Sequence, residues 1–176
     1  MKAMILAAGY GKRMMPLTEN MPKPLLKIGN ESLIERNINA LLAAGFNDII
    51  VNVSYLGSMI KKHVLETFPN VNISFSEEEI PLGTGGGVLN AIGLLGTDPF
   101  LLINADIYHQ INLKDIKQDV DIAHLVGVEN PDHNVDGDFS LNADQVSISN
   151  NLNECTWSGI SIINPIIFDG LKIEDA

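Results

Sequence analysis

Four short apolar runs, separated by three stretches of helical spacing, constrain the fold of this chain more than any other feature. Lys2 to Ala7, Asp48 to Val53, Val71 to Phe75 and Pro99 to Asn104 read as strands. Glu31 to Ala44 places Leu33, Ile34, Ile38, Leu41 and Leu42 on one side, with Gly45 as a stop. Leu56 to Phe68 reads as a second helix. Thr84 can cap a third that runs to about Leu94. Strands parted by helices need crossover connections, which give a parallel sheet covered on both faces. The predicted fold class is therefore α/β, a Rossmann-like and mostly parallel sheet. After Asn112 the pattern changes. A short helix over Leu113–Gln118 precedes strand-like runs at Ile122–Val128, Phe139–Leu141, Gln145–Ser149 and Ser158–Ile163, which predict a more antiparallel C-terminal region.

Composition narrows the function. A chain of 176 residues favours one domain, here 1–176, with a core of normal density. With 45% hydrophobic and 19% charged residues, disordered and collagen-like chains are excluded. The net charge of −11 disfavours a nucleic acid polymer as partner, because phosphate neutralisation needs clustered cations. Yet the charge is uneven. Residues 1–62 hold eight lysines and arginines against four carboxylates, and residues 63–176 hold three against eighteen. A small polyanion could be met locally at the N-terminal third. Cys155 is the only cysteine, so no intrachain disulfide and no cysteine-based zinc site is possible. That fits a reducing cytosol, and a cytoplasmic location is expected. No apolar run approaches the roughly 18–20 residues of a spanning helix, and the start lacks a signal-peptide pattern. No membrane partner is expected, and no periodic signature marks an oligomer contact.

The segment after the first strand carries the chemistry. Residues 8 to 24 form a long loop with Gly9, Gly11, three prolines and the cations Lys12, Arg13 and Lys23. Small residues at Ala7, Ala8, Gly9 and Gly11 let a ligand approach the backbone, and exposed N–H groups in such a turn can cradle phosphate. The planar fork of Arg13 can bond two phosphate oxygens. Pro22 and Pro24 stiffen the backbone around Lys23. A P-loop is excluded, because Gly11-Lys12-Arg13 lacks the hydroxyl and the upstream spacing. A dinucleotide fingerprint is excluded, because Met14 stands where a third glycine is needed.

Leu6 to Thr18, followed by Pro22 to Leu25, resembles the signature of the sugar-1-phosphate nucleotidyltransferases, L-A-A-G-x-G-x-R-M-x-P-L-T and then P-K-P-L. Every specified position is met. The resemblance implies the nucleotide-diphospho-sugar transferase type of fold and transfer of a nucleotidyl group from an NTP to a sugar 1-phosphate, with release of pyrophosphate. It implies that Gly9, Gly11, Lys12 and Arg13 bind the nucleotide phosphates, with Leu6, Ala7 and Ala8 lining the nucleotide. It assigns Lys23 to the charge at the α-phosphate and the sugar phosphate.

Phe100 to Asn104 continues into Ala105-Asp106, and ligands of open α/β sheets sit beyond the carboxyl ends of strands. A hard oxygen donor beside phosphates suits Mg2+. An isolated Asp in this place is otherwise a turn residue or a helix cap. In the resembled family the corresponding Asp holds the catalytic Mg2+, which makes Asp106 the expected metal ligand. Arg13, Lys23 and Asp106 are then the catalytic set.

Pro81-Leu82-Gly83-Thr84-Gly85-Gly86-Gly87 reads either as a flexible loop entering a helix or as a surface for a planar base. By resemblance, Gly83, Gly85 and Gly86 contact the nucleotide. This string resembles the branch that makes UDP-N-acetylmuramate from N-acetylmuramate 1-phosphate, as do Asn130-Pro131 and Gly137-Asp138-Phe139. UTP and N-acetylmuramate 1-phosphate are accordingly the expected substrates. The sugar phosphate is assigned to Lys23, Asn104, Gly137, Asp138, Ser158 and Gly159. Gly159 alternatively marks a bulge or close packing. His63, His109, His124 and His133 show no metal-ligand spacing and read as structural.

One departure stands out. The family continues into W-x-D-x-G-T, whose Asp is a second Mg2+ ligand, and no such element precedes Ala176. The chain is expected to be truncated, a fragment, or a variant whose metal site is completed otherwise. A mannose- or glucose-1-phosphate nucleotidyltransferase and a catalytically silent nucleotide- or sugar-binding domain remain open alternatives.

Overall fold

The computed structural model describes residues 1–116, 118–143, 145–148 and 152–175. In chain order the elements are β1 (Ala3–Leu6), β2 (Lys27–Ile28), β3 (Glu31–Ser32), α1 (Leu33–Ala43), β4 (Asp48–Val53), α2 (Gly57–Thr67) and β5 (Asn72–Glu77). They continue with α3 (Gly83–Leu95), β6 (Phe100–Asn104), β7 (Ala123–Glu129), β8 (Ser140–Asn142), β9 (Gln145–Ser147) and β10 (Cys155–Ile163).

Six strands form the main sheet in the order β5-β4-β1-β6-β10-β7. β5, β4, β1 and β6 run parallel. β10 is antiparallel to both of its neighbours. The apolar runs alternate by face as the strand pleat requires. Ile5, Ile49, Val51, Leu101 and Ile103 face one core, filled by Ile34, Ile38 and Leu41 of α1 and Ile60 and Val64 of α2. Met4, Ile50, Phe100 and Leu102 face the other, filled by Val88, Ala91 and Leu95 of α3. Burial on both faces explains why these strands read as continuous apolar runs.

Local chemistry sets the boundaries. α1 starts at a capping box, in which the Ser32 hydroxyl accepts from the Glu35 N–H and the Glu35 carboxylate accepts from the Ser32 N–H. This cap begins the helix two residues after the predicted Glu31, and Glu31–Ser32 instead pairs with Lys27–Ile28. α3 begins at Gly83 with Leu82 at its cap position and no side-chain cap. Thr84 therefore sits inside the first turn instead of capping it. The predicted helix over 113–118 is a single 3-10 turn, Leu113–Asp115. Its predicted continuation reaches Lys117, which lies outside the described residues, as does Ser149, the predicted end of the β9 run. β10 starts three residues before the predicted Ser158, and its pairing with β7 shifts register between Trp157 and Ser161.

Candidate active site

The carboxyl edge of the parallel strands supplies the floor of a cavity. Leu6 of β1 is in register with Asn52 of β4 on one side and with Asn104 of β6 on the other. The loops leaving these strands rise from that edge and enclose a space of about 400 Å3. The glycine-rich loop contributes Leu6, Ala7, Ala8, Gly9, Gly11, Lys12 and Arg13 to its walls. Lys23, Asn104 and Asp106 close a second side, and Gly83 and Thr84, at the start of α3, a third. The N-terminal end of a 13-residue helix thus borders the space, where unpaired N–H groups and the helix dipole favour negative charge.

Packing within the glycine-rich loop explains its sequence. Gly11 has φ +64, and a Cβ there would lie 3.1 Å from the Thr18 methyl and 3.3 Å from the Lys23 Cβ. The buried Thr18 hydroxyl donates to the Gly11 carbonyl at 2.8 Å. This contact fastens the loop against the Pro22-Lys23-Pro24 turn. Lys23 opens a 3-10 turn, Lys23–Leu25, with Pro24 buried behind it. Its ammonium pairs directly with the Asp106 carboxylate, 83 residues away in sequence. The Lys12 ammonium lies 5.0 Å from the centre of the Tyr10 ring, whose partner is Tyr55 at 5.5 Å. The Tyr55 hydroxyl donates to the Glu19 carbonyl at 2.8 Å and ties down the far end of the loop.

Other sequence-assigned residues lie elsewhere. Gly85 and Gly86 are inside α3, and Gly86 is buried; neither lines the cavity. Gly159 has φ +85, and a Cβ there would lie 2.8 Å from the Asn104 amide nitrogen. It marks the register shift in β10 and gives Asn104 room. Gly137 has φ +63 and packs against Asn130 and the Asn153 carbonyl. Asp138 accepts from the Trp157 N–H at 2.8 Å and from the Asn134 amide at 3.0 Å. Both hold the β7–β10 connection together, away from the cavity wall. Ser158 faces a second cavity of about 420 Å3, also lined by Ile107, Tyr108, His109 and Ile160.

That second cavity begins one residue past Asp106, and Ser158 is the one sequence-assigned residue on its wall. Tyr108 lies under the Arg36 guanidinium at 4.7 Å. The His109 Nδ1 is buried and meets no hydrogen-bond partner among the described residues. Burial lowers the imidazole below its ordinary value. The Ile111 backbone opposes that shift, and the Arg36 charge reinforces it. Two more residues escaped the sequence reading. Asn52 is 2% exposed and Glu78 6% exposed, and both are engaged in hydrogen bonds at the cavity's base. A polar residue at the carboxyl end of an otherwise apolar strand is the signal that could have found Asn52.

Residues 2–125 match the Nucleotidyl transferase family. The chain belongs to that family. Among relatives of known activity, N-acetylmuramate alpha-1-phosphate uridylyltransferase of Neisseria meningitidis serogroup B is 43% identical, over 98% of this chain and 79% of that protein. A mannose-1-phosphate guanyltransferase of Aspergillus oryzae is 33% identical over 98% of this chain and 52% of its own length, so the chain spans about half of that relative. Among solved structures, HddC from Yersinia pseudotuberculosis complexed with GMP-PN superposes with a TM-score of 0.80 at 28% identity, covering 96% of this chain and 79% of that one. UDP-glucose pyrophosphorylase complexed with UDP-glucose shares the fold, with a TM-score of 0.72 at 21% identity over 96% of this chain and 78% of that one. Family and relatives place the chain among the sugar-1-phosphate nucleotidyltransferases.

Proposed function

We propose that this nucleotidyltransferase moves a uridylyl group from UTP to N-acetylmuramate 1-phosphate, giving UDP-N-acetylmuramate and pyrophosphate. The observation that carries the reading is the convergence of Arg13, Lys23 and Asp106 on one cavity at the carboxyl edge of the sheet, with the Lys23 ammonium directly on the Asp106 carboxylate. The choice of UTP and N-acetylmuramate rests on the 43% identical relative.

In the proposed reaction, an ionised oxygen of the sugar phosphate attacks the α-phosphorus. A new P–O bond forms there as the bond to the β-phosphate oxygen breaks, and pyrophosphate leaves with that electron pair. The nucleophile is already an anion at neutral pH, so no general base is needed. The obstacle is repulsion between two anions, and the protein's task is charge and alignment. The glycine-rich loop and the N-terminal end of α3 offer N–H groups to the triphosphate. Arg13 holds the leaving phosphates. Lys23, between the loop and Asp106, neutralises charge where the two substrates meet. The sugar lies toward the second cavity, beside Ser158 and His109.

Asp106, a hard oxygen donor on the wall of the phosphate-binding cavity, is the residue that would hold a Mg2+ ion; no cluster of three or more ligand side chains exists among the described residues. Bound there, Mg2+ would supply positive charge to the phosphate oxygens. The ion pair with the Lys23 ammonium supports a cation-binding role for this carboxylate.

Pyrophosphate release, measured with Mg2+ across the four common NTPs and several sugar 1-phosphates, tests the reading. UTP with N-acetylmuramate 1-phosphate should turn over fastest. Preference for GTP and mannose 1-phosphate would reassign the substrates, and the guanyltransferase relatives make that the second reading. Binding of UTP without pyrophosphate release would make the chain a binding module. Arg13→Ala, Lys23→Ala and Asp106→Asn should each lower kcat by about 10^2-fold or more, with far-UV circular dichroism unchanged.

A further inference from the structure

The glycine-rich loop and the segment entering α3 both line the cavity, and a chain of hydrogen bonds through buried Asn52 and Glu78 joins them. The Ala7 N–H donates to the Asn52 Oδ1 at 2.7 Å. The Asn52 Nδ2 donates to the Glu78 Oε1 at 2.6 Å. The Leu82 N–H donates to the Glu78 Oε2 at 2.9 Å. Ala7 belongs to the glycine-rich loop, and Leu82 precedes the first residue of α3.

Residue types match this arrangement. Glu78 meets two donors, one at each oxygen, and only a carboxylate presents acceptors at both ends of its fork. A glutamine would turn its N–H2 toward one of them. Asn52 must accept at one end and donate at the other, which an amide does and a carboxylate does not. A buried carboxylate is costly to desolvate, and a negative charge near a polyanion site brings no electrostatic benefit. Its worth lies in holding position. Space has been cleared for it as well. A Cβ on Gly87 would stand 2.7 Å from the Asn52 Nδ2 and 2.9 Å from the Glu78 Oε1. The third glycine of the run therefore keeps α3 close to the pair.

We propose that Asn52 and Glu78 are positioning residues: a buried polar clamp that fixes the spacing between the glycine-rich loop and the start of α3, and through it the affinity for the NTP. The effect on affinity rests on the nucleotidyl-transfer reading; the coupling of the two loops does not.

Two measurements separate these. Amide hydrogen exchange in the ligand-free protein reads the clamp alone. Glu78→Gln should speed exchange about tenfold at Leu82 and also at Ala7, which Glu78 does not touch, while core amides of β1 and β6 stay slow. Steady-state kinetics read its consequence. Glu78→Gln and Gly87→Ala should raise KM for the NTP about tenfold and leave KM for the sugar 1-phosphate within about twofold. Gly87→Ala is the second variant, because alanine in a helix ordinarily stabilises and folding should survive. Unchanged exchange at Ala7 in Glu78→Gln overturns the clamp. Changed exchange with equal shifts in both KM values, or in neither, overturns its role in nucleotide affinity. A wild type that releases no pyrophosphate with any NTP refutes the nucleotidyl-transfer reading and leaves the exchange test of the clamp intact.

Discussion

Charged side chains of the candidate site answer to the groups beside them, the Lys23 ammonium to the Asp106 carboxylate and the Glu78 carboxylate to the Asn52 amide. Arg13, two residues after Gly11, Lys23, between two prolines, and Asp106, at the end of an apolar run, stand out in the sequence. Glu78 sits among Glu77, Glu78 and Glu79, and nothing in that string tells which carboxylate turns inward. In the structure Glu77 is an exposed partner of Lys61 and Glu78 is buried on Asn52. Glu35 is another case of placement deciding behaviour. Partial burial works to raise its carboxyl value. The hydrogen bonds from Ser32 outweigh this, helped by His63 and Lys27, and the net value falls below the ordinary 4.5. A depressed carboxyl stabilises the folded state above its unfolded value and loses that contribution as pH falls through the folded value. Glu35→Gln should therefore cost about 0.3–1 kcal/mol at pH 7, and urea melts should show the gap to wild type closing below pH 4.5.

At the scale of elements, the helices and parallel strands were legible, and their ends were less so. Periodicity locates a helix, but the first residue depends on which side chain caps it. The Ser32–Glu35 box moved the start of α1, and Leu82 in place of Thr84 moved that of α3. Ser32→Ala should cost about 1 kcal/mol in chemical denaturation, because one buried hydroxyl satisfies an otherwise orphaned N–H. Glycines were ambiguous in a different way, since the sequence shows that a side chain is absent and not what fills the space. At Gly159 the neighbour is Asn104, at the end of β6 and on the cavity wall. Gly159→Ala meets both a φ of +85 and an atom 2.8 Å away, so it should lower Tm and raise KM for the sugar 1-phosphate together. A loss of Tm with KM unchanged would confine Gly159 to packing.

At the scale of the whole molecule, the parallel sheet turns sequence distance into proximity. β1, β4 and β6 end side by side, so the loops after residues 6, 53 and 104 meet although about fifty residues separate each from the next. That convergence follows from strand order, and alternation alone predicts a parallel sheet without predicting its order. The charge distribution acts at the same scale. An acidic molecule of net charge −11 gathers Lys12, Arg13 and Lys23 at one edge, where a triphosphate would be drawn in and held. Such binding must stabilise the fold, because the unfolded chain does not bring these loops together. At UTP about 100-fold above its Kd, linkage adds about 2.7 kcal/mol, a rise in Tm of roughly 5–10 °C for a chain of this size. The rise should shrink in high salt as the ionic contacts are screened, and it should be largely lost in Arg13→Ala. Differential scanning fluorimetry with UTP, GTP, ATP and CTP at equal concentration gives the ranking. A Tm unmoved by every nucleotide would mean that the edge of the sheet does not collect a triphosphate, and would remove the electrostatic basis of the proposed reaction.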